Sequence, residues 1–319
     1  MLRRILLGLG ALVLIFVVFV AVGLFMANRA IRALDPKLPL ADEIVAFDAA
    51  PDLPISIWWL NTASQQMPRS AVLEPSLDLT PDAPYTMSHP AFALTWSDGR
   101  IFLIDAGMDR DSALAFGKPI EVVSGAEPIQ PLGSVAEKLG ASLRRVTGIA
   151  FTHEHTDHTS GVSDLCRMHG APIRLIQNRL QIEESNFTTR TGQAQLAQAA
   201  CLKREVAQGG PLFSVPGFPG LAFFAAAGHT PGSQVFVAHV RGSAGVHTYV
   251  LTGDVVNQID GARGNIPKPQ LYSLIVVPES PARLDTLRRL LAELERDHGV
   301  TLLVSHDQLS LEASGVHGE

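Results

Sequence analysis

The sequence predicts an α/β fold, large enough for one core or for two layers of sheet packed on each other inside helices. Three observations carry this expectation. The chain has 319 residues, 46% of them hydrophobic, which is enough to bury one large core. Short apolar, strand-like runs alternate with segments of helical periodicity. Finally, residues able to bind metal stand at the ends of such runs in both halves of the chain, as they would if the strands delivered them to one edge of the fold. We find no internal repeat.

Residues 5–27 contain no charge and, as a helix, are long enough to cross the ~30 Å hydrocarbon core of a bilayer. Residues 1–31 are therefore expected to be an uncleaved membrane anchor. A secretory signal peptide is the rival, but its apolar core usually runs about 7 to 15 residues, and Ala27-Asn28-Arg29-Ala30 is a poor cleavage site. Were it cleaved, the protein would be secreted. Arg3 and Arg4 before the span are matched by Arg29 and Arg32 after it, so the free amino terminus alone tips the start of the chain inward. The rest is then expected outside the cytoplasm, periplasmic or extracellular. Cys166 and Cys201 could pair there or stay as buried thiols, and the sequence leaves both open.

Residues 32–54 hold Pro36, Pro39, Pro51 and Pro54 among five acidic side chains and read as an extended linker that keeps the domain off the lipid. The domain proper is expected over 55–319. Ile55 to Leu60, with Trp58-Trp59, reads as its first core strand. Asn61 to Pro90 contains five prolines and no clear period, which predicts a long pocket-shaping loop. Ala91 to Trp96, the turn Ser97-Asp98-Gly99-Arg100, and Ile101 to Ile104 form a hairpin signal. Ser134 to Leu143 and Ser163 to His169 read as amphipathic helices flanking the apolar run Val146 to Phe151. Arg179 to Gly210 is rich in alanine and glutamine and predicts helix over 192–202, serving as a substrate-shaping cap or an outer packing helix. Leu284, Leu287, Leu290, Leu291 and Leu294 have the spacing of an outer amphipathic helix over Pro281 to His298.

The chemistry concentrates in His153-Glu154-His155-Thr156-Asp157-His158, one residue after the run ending at Phe151. Alternate side chains of an extended backbone point the same way, so His153 and His155 can close on one ion. Asp157 and His158 follow where a turn would aim them elsewhere, and a second ion is expected. Neutral imidazole nitrogen and carboxylate oxygen are ligands that zinc accepts, and grouping them away from water would otherwise be costly. Three later apolar runs end in one more candidate each: Leu221 to Ala227 in Gly228-His229, Thr248 to Thr252 in Gly253-Asp254, and Val300 to Ser305 in His306.

In order these read His-x-His-x-Asp-His, then His, Asp and His, which resembles the metallo-β-lactamase superfamily, specifically its dinuclear hydrolase branch of lactonase and glyoxalase II type. The resemblance runs from about Ile55 to Asp307. It implies a four-layer αββα sandwich with the metals in a groove at its edge. It implies that His153, His155 and His229 hold the first ion, that Asp157, His158 and His306 hold the second, and that Asp254 bridges them. The ions are expected to be two zincs, with iron or manganese left open by the divalent affinity order. Asp105, in Phe102-Leu103-Ile104-Asp105-Ala106-Gly107, stands where the family keeps a supporting aspartate, although it also suits a plain strand stop. A pair of ions ~3.5 to 4 Å apart would share and acidify a water that attacks the substrate carbonyl, with Asp157 or Asp254 passing the proton to the leaving group.

The ligand set also excludes. Antibiotic hydrolysis is disfavoured because the superfamily's true β-lactamases lack the bridging aspartate found here at Asp254. The flavodiiron pattern is disfavoured because it has glutamate where this chain has His155. Acyl-homoserine lactonases carry a tyrosine three residues after the bridging aspartate; here that position is Asn257, a candidate substrate contact of shorter reach that could equally be a cap or turn residue. Without Arg3, Arg4, Arg29 and Arg32 of the first 32 residues, the chain keeps 21 basic against 31 acidic side chains, a formal charge of −10. Such a domain repels polyanions, so no nucleic-acid partner is expected. The expected substrate is a small neutral or apolar carbonyl compound, a lactone, ester or thioester, and the expected non-substrate partner is the lipid bilayer. Competing readings are a phosphodiesterase and a persulfide dioxygenase, the latter with one iron held by His153, His229 and Asp254. Oligomeric state is not legible in the sequence.

Overall fold

The computed structural model describes residues 2–46 and 51–319, with side chains from residue 9. In chain order the strands are β1 (Ser56–Met67), β2 (Tyr85–Thr95), β3 (Ile101–Ile104), β4 (Gln130–Pro131), β5 (Val146–Ala150), β6 (Ile173–Gln177), β7 (Leu202–Val206), β8 (Leu212–Ser214), β9 (Leu221–Ala225), β10 (Gln234–Gly242), β11 (Gly245–Leu251), β12 (Thr301–Leu303) and β13 (His317–Gly318). The helices are α1 (Leu2–Ala33), α2 (Ala41–Ala46), α3 (Arg110–Ser124), α4 (Val135–Leu139), α5 (Thr156–Thr159), α6 (Val162–His169), α7 (Arg179–Glu183), α8 (Arg190–Gln198), α9 (Ile259–Arg263), α10 (Pro281–His298) and α11 (Gln308–Ala313).

Two mixed sheets result. One runs β13-β1-β2-β3-β5-β6-β7 with β4 added beside β1, and the other runs β12-β11-β10-β9-β8. The period of two explains why they stack. Phe92, Leu94, Phe102 and Ile104 of the first sheet meet Leu221, Phe223, Phe236 and Ala238 of the second in one buried core. Their sequence neighbours point the other way and are buried as well. Ala91, Ala93, Ile101 and Leu103 pack under α4, α6 and α8, while Phe224, Val235 and Val237 pack under α9 and α10. Helix, sheet, sheet, helix is the four-layer order expected.

Two expectations about the elements need correction. The loop predicted from Asn61 is shorter, because β1 continues to Met67 and pairs in register with β2 from Tyr85. Pro90 is accommodated because it faces Asn61 at the irregularity between Asn61 and Ser64, where a missing N–H breaks no regular ladder. The helix predicted over 192–202 ends at Gln198, and Leu202–Val206 instead extends the first sheet parallel to β6.

The apolar amino-terminal helix has a span, Leu9–Ala33, of mean hydropathy 3.0. From Leu9 to Met26 its large side chains stand exposed, apart from half-buried Leu24, and burial begins at Asn28 and Ile31. The linker is less extended than its prolines suggest. Arg283 on α10 pairs with Asp35 at 2.7 Å, and Ala41 and Ile44 of α2 join the core beneath α10. Asp48 lies outside the described residues. Trp59 is buried in the core, as expected for a first strand.

Candidate metal centre

Strand ends deliver the candidate residues to one edge of the sandwich. β5 runs into an extended stretch through His155, and α5 then turns the chain so that Asp157 and His158 face a different direction from His153 and His155. β9 leads to His229, β11 to Asp254 and β12 to His306. All seven converge. His153 Nε2 lies 3.0 Å from His155 Nδ1, and His229 Nε2 lies 3.2 Å from the same atom. Asp254 Oδ2 is 3.5 Å from His229 Nε2 and 3.1 Å from His306 Nε2. On the far side, His158 Nε2 and His306 Nε2 are 3.4 Å apart, and each faces Asp157 Oδ2, at 3.7 and 3.5 Å. Asp254 is thus common to a group with His153, His155 and His229 and a group with His158 and His306.

The outward ring nitrogens decide what the inward ones can do. His229 Nδ1 donates to Glu279 Oε1 at 2.6 Å, His158 Nδ1 to Asp105 Oδ2 at 2.9 Å, and His306 Nδ1 to the Ser88 carbonyl at 2.8 Å. A neutral imidazole that donates from Nδ1 presents a bare lone pair at Nε2. Several lone pairs and two carboxylates therefore point at one another where six of the seven residues are buried and His155 is half-buried, and Asp254 Oδ1 is buried without a hydrogen bond. Only protons or cations relieve such an arrangement. The donor set, nitrogen-rich with two shared carboxylates, fits a pair of divalent ions, and the outward partners fix the tautomers as is usual for metal-ligating histidine.

Electrostatics divide the centre in two. Burial holds His153 well below the ordinary imidazole value and lowers His155 to about 3, with neighbouring imidazoles adding to the effect. His229 is also lowered, first by burial and then by the Lys268 charge. Burial would lower His158 and His306 too, but Asp105, Asp157 and Asp254 outweigh it and raise both. Asp157 and Asp254, which burial alone would raise, are pulled below the usual carboxylate range by the imidazoles around them.

Asp105 stands directly behind His158 at the edge of the cluster. It takes a positive φ of 63°, rare for a residue with a side chain, and so accepts from Thr152 N at 2.7 Å, Thr152 Oγ1 at 2.8 Å and His158 Nδ1. Gly107 follows in the same region, and a Cβ there would lie 2.3 Å from Thr62 Oγ1. Asn257 is buried, but its side-chain oxygen has no hydrogen-bond partner among the described residues, and its carbonyl accepts from the Tyr85 hydroxyl at 2.9 Å. The cap of the following helix is Gln258.

Sequence reasoning missed four contributors. His89 places Nδ1 3.3 Å from Asp157 Oδ2, and Thr188 Oγ1 lies 2.8 Å from His155 Nε2. Lys268 Nζ donates to Glu279 at 2.9 Å and to the Asp254 carbonyl at 2.7 Å, so that Lys268 and Glu279 clamp two candidate ligands from behind. α8 packs on the loop and on α5: Thr159 Oγ1 donates to Gln195 Oε1 of α8 at 2.7 Å, and a Cβ on Gly192 would sit 2.0 Å from the Glu154 carbonyl.

Glu154 itself points away from the cluster, accepting from Gln177 Nε2 at 2.7 Å, and burial pushes its carboxyl up to about 7. Raised above the unfolded value, it makes the fold lose stability as pH climbs from about 4.5 through 7, by ~3 kcal/mol in all. Glu154→Gln keeps an acceptor and removes the charge. In chelator-treated protein it is expected to raise the thermal midpoint at pH 8 and leave it nearly unchanged at pH 4.5; equal shifts at both would contradict this.

A family model described as the metallo-beta-lactamase superfamily matches residues 87–306. No curated protein sequence matches the chain. Among solved structures, an N-acyl homoserine lactone hydrolase with the product N-hexanoyl-L-homoserine bound at its catalytic metal centre is 16% identical over 83% of this chain and 98% of its own, with a TM-score of 0.60. A probable metal-dependent hydrolase from Staphylococcus aureus is 14% identical over 81% of this chain and 91% of its own, with a TM-score of 0.56. AidC, a dizinc quorum-quenching lactonase in complex with its product, is 14% identical over 80% and 89%, with a TM-score of 0.54. At these identities the likeness is one of fold.

Proposed function

This chain belongs to the metallo-β-lactamase superfamily, and on that premise we propose that it is a dinuclear zinc hydrolase, anchored in a membrane, that cleaves a lactone, ester or thioester. The single observation that carries the reading is the closed cluster of seven inward-facing donors with Asp254 shared by both halves. His153, His155 and His229 would hold one ion, Asp157, His158 and His306 the other, and Asp254 both. When bound, the pair would supply Lewis acidity toward a carbonyl oxygen and bring the pKa of a water down toward about 7.

The protein's own part is to orient, to neutralise and to move a proton. Glu279, Asp105 and the Ser88 carbonyl fix three rings with Nε2 inward, so no reorganisation is needed when substrate arrives. Asp157 and Asp254 stay ionised and can take a proton from the attacking water. Asp157, whose Oδ2 lies between His89, His158 and His306, would hand it to the departing oxygen or sulfur. Burial lowers His89, whose Nδ1 lies 3.3 Å from Asp157 Oδ2 and would help to hold that carboxylate in place. Thr188, beside His155, and α8 would shape the substrate pocket. Support for an ester-type substrate comes from the lactonases of the same fold.

We assign residues 1–31 as the anchor and 55–319 as the catalytic domain, with 32–54 joining them. An extracytoplasmic domain is supported by the Cys166–Cys201 disulfide, since such bonds persist in oxidising compartments. Purified, metal-loaded protein should turn over members of a lactone, thioester and aryl ester panel and leave β-lactams and phosphodiesters intact. Turnover confined to phosphodiesters or β-lactams would overturn the reading.

A further inference from the structure

Residues Tyr272–Val276 form a single π-helical turn on the rim of the candidate centre. Leu271, Leu274, Ile275 and Val276 expose 70, 47, 49 and 51% of their surface. The remaining two residues of this stretch face inward. Ser273 Oγ donates to Glu279, which grips His229, and the Tyr272 ring lies 5.6 Å from Lys268 Nζ. A turn so tied to the centre yet so apolar outside calls for a nonaqueous neighbour.

The anchor shows which. Asn28 Nδ2 of α1 donates to the Leu274 carbonyl at 3.0 Å. Asn28 is the first buried residue after the exposed apolar stretch that ends at Met26. Ile5 to Met26 as helix spans about 33 Å, enough to cross the ~30 Å hydrocarbon thickness, so Asn28 marks the level at which a bilayer would end. The turn is hydrogen-bonded to the helix at that level. Arg29 and Arg32 follow within one turn, where phosphate headgroups lie. Arg32 also lines a cavity of ≈ 330 Å³ with Leu274, Lys268 and Glu279, so that the anchor's end, the turn and the residues behind His229 adjoin.

We propose that Leu271, Leu274, Ile275 and Val276 dock into the lipid interface beside α1, seating the candidate centre at the membrane surface. This rests on the anchor reading above, but not on the identity of the substrate. The occupant is the acyl-headgroup boundary of the bilayer, to which apolar turns beside basic residues bind. Because the turn carries Tyr272 and Ser273, docking would hold the Glu279–His229 contact from outside.

Both native cysteines are joined, so a thiol introduced by Ile275→Cys takes a single fluorescent label. Full-length protein would be reconstituted into phosphatidylcholine vesicles with and without doxyl-labelled phosphatidylcholine. Parallel labels go on Phe16→Cys, within the exposed stretch of α1, and Val246→Cys, at the far end of β11 from Asp254. The expected result is at least twofold quenching at positions 275 and 16 and none at 246. Quenching at 16 alone keeps the anchor and overturns the docking. A shielded but unquenched label at 275 places protein over the turn, a second copy for instance, and also overturns it. No quenching at 16 removes the anchor and the proposal with it.

Discussion

Asp254→Ala is expected to abolish hydrolysis, lowering kcat by roughly 10³-fold or more, and to reduce bound metal at the same time. The size follows from position. Asp254 Oδ2 lies 3.1 Å from His306 Nε2 and 3.5 Å from His229 Nε2, so one substitution removes a donor from both halves of the cluster. It also removes the charge that raises His306. His153→Ala should match it in activity while sparing more of the bound metal, because it touches one half only. Steady-state rates and metal content measured on the same preparations separate these cases. An Asp254→Ala protein with full activity would refute the assignment.

Glu279→Ala is expected to have the second-largest effect, because it acts on stability and on metal affinity together. Burial would raise this carboxyl, but the Lys268 charge and the His229 bond bring it down to about 2. Depressed below its unfolded value, the group contributes stability above pH 4.5 that is lost only as pH falls through about 2. Its removal strands the Lys268 ammonium, itself only 5% exposed. Breaking a buried pair from one side costs about 3–5 kcal/mol. His229 also loses the acceptor that fixes its tautomer, which typically costs 10–100-fold in metal affinity. Chemical denaturation and metal titration should each register the loss. Lys268→Met with Glu279→Met, which removes the acceptor as well as the charge, should restore much of the stability while leaving the metal affinity impaired; recovery of both would show that Glu279 does not orient His229.

The sequence already displayed the candidate ligands, for a physical reason. His153, His155, Asp157 and His158 are close in the chain, so a strand followed by a turn suffices to aim them. His229, Asp254 and His306 each end an apolar run that had to be a strand. The paired sheets were legible for the same reason, since β2, β3 and β9 alternate side chains between two buried faces. Contacts made across the fold were not legible. Glu279 is 50 residues from His229, and nothing in Pro278-Glu279-Ser280 marks it as a histidine's partner. His89 sits in Ser88-His89-Pro90, inside a stretch whose prolines suggested a loop, and only the irregular pairing near Asn61 lets it be strand. Asn257 was legible as the residue three after Asp254, yet the tertiary environment gives its side-chain oxygen no partner among the described residues. The disulfide depended on α6 and the chain after α8 meeting, which spacing does not encode.

The proposed hydrolase needs this cluster to hold two ions. Metal content per chain decides the matter, measured by elemental analysis on protein purified without chelator and then loaded and dialysed. Two zinc ions per chain, falling to one or fewer in Asp254→Ala, is the predicted result. A single iron per chain, or full activity after complete metal removal, would contradict it.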